Sequence, residues 1–300
     1  MALPVAAVTG GIDVLGEQRA GWDAATRGWS HWFDAFERGG RRITAMMLDR
    51  GRVRSGQRVL DVGTGLGEPA LSAARVVGSA GSVVGVDLSG TMLAAARARA
   101  AGTRNVDFRH RAVEDLDLAP ASCDVVLSRW CLMFLADRGA ALRRLRRLLR
   151  PGGALVATVW GPPETAPVVG LVSRVVHAHL GLGATPPGHP GTYGLSDPRR
   201  CVAELVAAGF VDVSVVVHHA PFWWHSSAEF ANFAWDVMPP STRQMLADWC
   251  DPGLRTRIRR GLVRASGRHR QPGGRIVLPS AVLCLRATRP GPRLSGFHRT

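Results

Sequence analysis

The chain reads as an α/β protein whose core is one seven-stranded, mostly parallel open sheet carrying helical cap insertions. Three observations predict it. A short apolar strand runs into a glycine turn and a helix start at residues 59–69. Short strands then alternate with helical patterns as far as Trp160, the arrangement of a parallel sheet with helices on its faces. Two late β-branched stretches, Val211–His219 and Arg275–Ala287, complete the sheet. With 300 residues and 46% hydrophobic content, there is material for one large domain with a substantial cap.

The first strand, Val59-Leu60-Asp61-Val62, turns into Gly63-Thr64-Gly65-Leu66-Gly67, and Glu68-Pro69 opens a helix. Proline suits a first helical position, where its missing N–H would be unpaired anyway. The glycines let backbone approach a ligand closely, and the helix start offers free N–H groups and a positive dipole end. The second strand, Ser82–Asp87, ends in a carboxylate that can accept hydrogen bonds from both hydroxyls of a ribose. Ser89 caps the next helix, which closes near Gly102. A third strand is expected at Asn105–Arg109 and a fourth at Cys123–Ser128, followed by Arg129-Trp130-Cys131-Leu132-Met133-Phe134. An arginine-rich amphipathic helix from about Asp137 ends in Leu149-Arg150-Pro151-Gly152-Gly153, and the strand Ala154–Trp160 follows. Beyond it come a helical stretch, Pro167–Leu180, a loop rich in Pro and Gly, Gly183–Gly194, and a capped helix, Arg199–Ala208, ended by Gly209.

A dinucleotide fingerprint would put its third glycine at position 68, where this chain has Glu68. Val-Leu-Asp-Val-Gly-Thr-Gly-Leu-Gly resembles instead the first motif of class I S-adenosylmethionine-dependent methyltransferases. Asp87, Ala112-Val113-Glu114-Asp115 and the fourth strand follow in that family's order. The chain is similar to the menaquinone/ubiquinone-biosynthesis type over roughly residues 20–160, and in part to residue 287. The resemblance implies a Rossmann-like methyltransferase sheet and S-adenosyl-L-methionine as cofactor. It places Gly63 and Gly65 along the methionine part, with Asp61 ordering the loop or a bridging water. Asp87 would hold the ribose, Leu88 and Met92 would flank the adenine, and Val113 would meet its edge. The backbone near Ser128 would take the methionine amino group. One departure stands out: where the family often has an acid for the adenine amino group, this chain has Ala112, with Glu114 and Asp115 as the acids available to substitute.

Composition limits the alternatives. The apolar runs are too short to cross a bilayer, and five cysteines without tight spacing suit free thiols in a cytoplasmic enzyme. No CxxC pair and no HExxH motif speaks for a metal. The net charge of +15 invites a nucleic-acid partner, yet all 38 basic side chains are arginine, as a GC-rich genome would give. The densest cluster, Arg143 to Arg150, falls on the outer face of a helix whose leucines meet the sheet, which is ordinary solvated charge. Ser128-Arg129-Trp130-Cys131 also lacks the Asn/Asp-Pro-Pro-aromatic sequence of nucleic-acid amine methyltransferases. The expected partner is a small-molecule methyl acceptor rather than nucleic acid, with a quinone precursor or a non-methylating, cofactor-binding role as alternatives.

The expected division is an N-terminal lid segment, 1–50, a cofactor-binding core, 51–160, a cap insertion, 161–195, and core again, 196–220. A second cap insertion, 221–274, the last strand, 275–288, and a disordered tail, 289–300, complete it. The lid segments should pack beside each other above the carboxyl ends of the strands, with helices at 226–238 and 242–250 burying Phe230, Phe233, Met245 and Trp249. Contacts in a homo-oligomer are the other use for such insertions. Trp130, Met133 and Phe134 follow the fourth strand where the acceptor must come, and with Trp29, His31 and His225 they form the candidate substrate pocket. Apolar and aromatic acceptors, such as secondary metabolites awaiting tailoring, fit such walls. No residue is assigned as catalytic base.

Overall fold

The apolar strand β1, Arg58–Val62, lies inside the sheet, third of seven strands, and is buried from Val59 to Val62. Around it run β2 (Ser82–Asp87), β3 (Val106–His110), β4 (Cys123–Arg129), β5 (Leu149–Trp160), β6 (Val211–Trp224) and β7 (Ile276–Thr288). Their order is β3-β2-β1-β4-β5-β7-β6, with β7 antiparallel to both neighbours. The strand order reverses between β1 and β4, the switch point at whose carboxyl ends open α/β sheets bind ligands. The computed structural model describes residues 14–181, 183, 188–239, 242–243, 246, 251 and 253–291.

The long helix α1, Val14–Arg50, lies across one side of the sheet, with Ile43 and Met47 buried and Arg50 Nη2 donating to Ser214 Oγ at 2.8 Å. Helices α2 (Ala70–Val77), α3 (Gly90–Arg99) and α4 (Arg138–Leu148) connect the parallel strands. In α4, Leu142, Leu145 and Leu148 are buried while Arg143 and Arg147 face solvent. After β5 come α5 (Pro167–Leu180) and α6 (Pro198–Ala207), and between β6 and β7 lie α7 (Ser227–Asp236) and α8 (Leu254–Gly267). Helices α5 and α8 approach so closely at Gly261 that an added Cβ would meet Val175 Cγ1 at 2.7 Å. No helix among the described residues is long and apolar enough to cross a membrane.

Three expectations need correction. Leu149 to Gly153 belong to β5 rather than to the helix end, because Leu149 is extended, buried and paired with Cys123. Pro69 is the N-cap of α2, one place before the first helical residue. The sixth strand runs on to Trp224, so the second cap starts later than residue 221. Its ladder with β7 continues to Trp224↔Ile276, and Phe222 and Trp224 are buried on one face. Much of the expected helix 242–250, including Met245 and Trp249, lies outside the described residues, as do residues 1–13, most of 182–187 and 292–300.

Candidate active site

Three glycines in the left-handed region, at φ +69°, +52° and +99°, carry the chain from β1 to α2 through Gly63, Gly65 and Gly67. Below this loop Asp61 is fully buried, and its Oδ2 accepts the Ala70 N–H at 3.0 Å. Burial pushes the Asp61 carboxyl up to about 7, against the pull of nearby Arg129. Its Oδ1 has no hydrogen-bond partner. Asp61 thus supports the loop from behind rather than lining the cavity above it.

Asp87 ties the loop to the second strand. Its Oδ2 accepts the Gly65 N–H at 2.8 Å and its Oδ1 accepts the Ser89 N–H at 2.9 Å. Burial raises its pKa in spite of these bonds. Ser89 caps α3 by accepting the Met92 N–H at 3.1 Å, and it donates to Asp23 of α1 at 2.5 Å. Asp87, Leu88, Met92 and Val113 all face one cavity with Gly63 and Gly65. Of the two acids proposed to replace the one missing at Ala112, Glu114 lines this cavity and Asp115 does not.

At the carboxyl end of β4 the chain reaches the cavity one residue after Ser128. Ser128 is buried behind the wall, its hydroxyl donating to the Val62 carbonyl at 3.0 Å. Arg129, Trp130 and Cys131 line the cavity in its place. Trp130 holds a left-handed φ of +56° and stacks on Trp160 at 4.7 Å between ring centres. Arg129 donates to both oxygens of Glu37 in α1, at 2.5 and 3.1 Å, and to Thr44 Oγ1 at 2.9 Å. Burial works against this guanidinium's charge, but Glu37, then Glu68 and Asp61, outweigh it and raise its pKa.

The remaining wall is aromatic and comes from α1. Trp22 meets Phe134 edge-on at 5.2 Å, Trp29 meets Phe36 at 5.1 Å, and Phe36 meets Trp130 at 5.0 Å. Three candidates fall elsewhere. Met133 is packed into the core, away from the cavity wall. His31 is exposed, edge-on to Trp32. His225 is exposed too, its Nε2 3.4 Å from Arg38 Nη1. Both histidines have aromatic neighbours in sequence, but the helix and turn that carry them leave them exposed. Glu37, Arg129, Phe33, Phe36 and Glu68 line the cavity without having been singled out as site residues. Phe33 and Phe36 shared a helical stripe with Trp22 and Trp29 that reads equally well as core, and nothing in the sequence couples Glu37 to Arg129. Among the described residues no group of three or more His, Cys, Asp or Glu could hold a metal ion.

The cradle suits a nucleoside with a charged amino-acid arm. A Cβ on Gly65 would meet only Met92 Sδ, at 3.7 Å, so that position opens into the cavity. A Cβ on Gly63 would instead collide with Cys131 at 2.4 Å. Residues 60–157 match the family model described as a methyltransferase domain. An arsenite methyltransferase of Aquipseudomonas alcaligenes is 41% identical over 109 residues, covering 33% of this chain and 32% of that protein. A ubiquinone/menaquinone biosynthesis C-methyltransferase of Vibrio parahaemolyticus is 32% identical over 124 residues, covering 40% and 48%. The chain therefore matches less than half the length of either relative. The YcgJ protein of Bacillus subtilis shares the fold with a TM-score of 0.56 at 18% identity, over 83% of this chain and 99% of that one. The sheet order and the glycine loop agree with the match across residues 60–157, and that stretch is similar to the methyltransferase domain of the menaquinone/ubiquinone-biosynthesis type.

Proposed function

We propose that the chain methylates a small apolar or aromatic molecule, as a tailoring step on a secondary metabolite, in the cavity between the glycine loop and α1. S-adenosylmethionine, when bound, supplies a methyl group on a sulfonium that is open to direct displacement. The chain's own residues then have three tasks. Asp87, Leu88, Met92 and Val113 position the nucleoside, with Asp87 also fixing the loop through the Gly65 N–H. Helix α1, pinned to α3 by Asp23 and to β4 by Glu37, closes the top of the cavity and limits water. Trp29, Phe36, Trp130 and Phe134 supply flat apolar faces that orient an acceptor toward the sulfonium.

The observation that carries this reading is the aromatic wall standing directly beside the glycine loop in one cavity. None of the described lining residues is a histidine. The arsenite and quinone relatives support methyl transfer but differ in acceptor, and the matched stretch is the cofactor-binding part. A quinone precursor is the second reading, since a flat quinol ring suits the same aromatic faces. Incubation with S-adenosylmethionine and panels of phenols, quinols and aliphatic amines, with mass detection of one added methyl, tests both. Methylation of flat aromatic acceptors is expected. Turnover confined to the aliphatic amines would overturn the choice of acceptor, and failure to bind S-adenosylhomocysteine in calorimetry would overturn the whole reading.

A further inference from the structure

The carboxylates around the cavity are not equivalent. Both oxygens of Asp87 accept backbone N–H groups, and both oxygens of Glu37 accept from Arg129. Glu68, between the glycine loop and α2, is different. Its Oε1 lies 3.4 Å from Nη2 of the exposed Arg75, while its Oε2 is buried with no hydrogen-bond partner. The side chain is 12% exposed and lines the cavity. Glu37, Asp61 and Glu68 all act on the single guanidinium of Arg129, which Glu37 already occupies. A buried carboxylate oxygen without a donor is costly, and a cation with N–H groups is the group that relieves it.

We propose that Glu68 is the binding residue for the α-ammonium of the cofactor's amino-acid arm, a role the family resemblance implies for the backbone near Ser128. This rests on the reading that the cavity holds S-adenosylmethionine. Ser128 itself is buried and Arg129 to Cys131 continue from it along the cavity wall, while the Glu68 side chain shares the cavity with Gly63 and Gly65. The nucleoside-facing residues Leu88, Met92 and Val113 come from the β2 and β3 side of the switch point, and Glu68 follows β1 beside the end of β4.

The test compares wild type and Glu68→Gln in calorimetry with two probes. S-adenosylhomocysteine has the ammonium, and 5′-methylthioadenosine keeps the nucleoside and sulfur without the arm. Loss of a charged hydrogen bond should weaken S-adenosylhomocysteine by roughly 10- to 100-fold in Glu68→Gln. Binding of 5′-methylthioadenosine should stay within about twofold of wild type on the same arithmetic. Equal losses for both probes would make Glu68 a support of the loop and overturn the proposal. Unchanged S-adenosylhomocysteine binding with a raised KM for the acceptor would move the ammonium to an amine acceptor and overturn it too. If wild type binds neither probe, the cofactor reading itself fails, a result distinct from the other two.

Discussion

Asp87, Gly65 and Asp61 meet within one loop but carry different loads. Replacing Asp87 with Ala removes the acceptor for the Gly65 N–H as well as the partner proposed for the ribose hydroxyls. S-adenosylhomocysteine affinity should fall by about 1–3 kcal/mol in calorimetry. Gly65→Val places a branched side chain where the cavity is open and φ is +52°, so binding should vanish while the melting temperature falls only slightly. Native affinity in that variant would reduce the loop to a plain turn. Asp61 predicts a pH effect on stability. Its folded pKa of about 7 lies above the unfolded value, so the folded state holds the proton more tightly. The cost of ionising it is absent below about pH 4 and grows until pH 7 is passed. Relative to Asp61→Asn, the wild type should lose on the order of 4 kcal/mol between pH 4 and 8 in urea unfolding. A difference that does not change with pH would show that the carboxyl ionises as freely as an exposed one.

Helix α1 forms the roof of the cavity because two polar attachments and one aromatic stripe hold it there. Asp23 reaches the cap of α3, and Glu37 is forked by Arg129 at the end of β4. Truncating Glu37 to Ala would leave a buried guanidinium with only Thr44 and the Gly40 carbonyl as partners. That should cost about 3–5 kcal/mol of stability, measured as a lower denaturant midpoint. Glu37→Gln, which keeps the acceptor oxygen but loses the charge, should cost less. Equal stability of Glu37→Ala and wild type would mean that water reaches Arg129 freely. Phe36 adds the apolar part of the attachment, lying 4.9 Å from Phe222 with their rings stacked.

Taken over the whole molecule, the inserted helices form a layer behind the roof rather than the roof itself. Helix α7 reaches α1 through Phe233, which lies 6.1 Å from Phe36 and 6.4 Å from Trp29. None of the described residues of α5, α7 or α8 lines the cavity. Hydrogen exchange with S-adenosylhomocysteine should therefore slow in residues 59–70 and in α1 from Trp22 to Phe36. Helix α7 should slow less, and α4 not at all, since its arginines lie on the outer face. Strong protection of α5 and α8 would return the insertions to the lid proper.

The strand, glycine turn and helix start at residues 59–69, the carboxylate at Asp87 and the cap at Ser89 were legible in the sequence. Each is a local choice, in which backbone conformation, capping and strand-end position are fixed by neighbours a few residues apart. The reach of β6 to Trp224 was not local, because only pairing with β7 shows that Phe222, Trp223 and Trp224 continue a ladder. The same holds for the cavity wall. Trp29 and Phe36 stand on one face of α1, but whether that face meets a core or a cavity depends on where a 37-residue helix is laid across the sheet. His31 and Met133 lost their places for that reason: a side chain's surroundings are set by partners distant in sequence, as Glu37 and Arg129 are to each other.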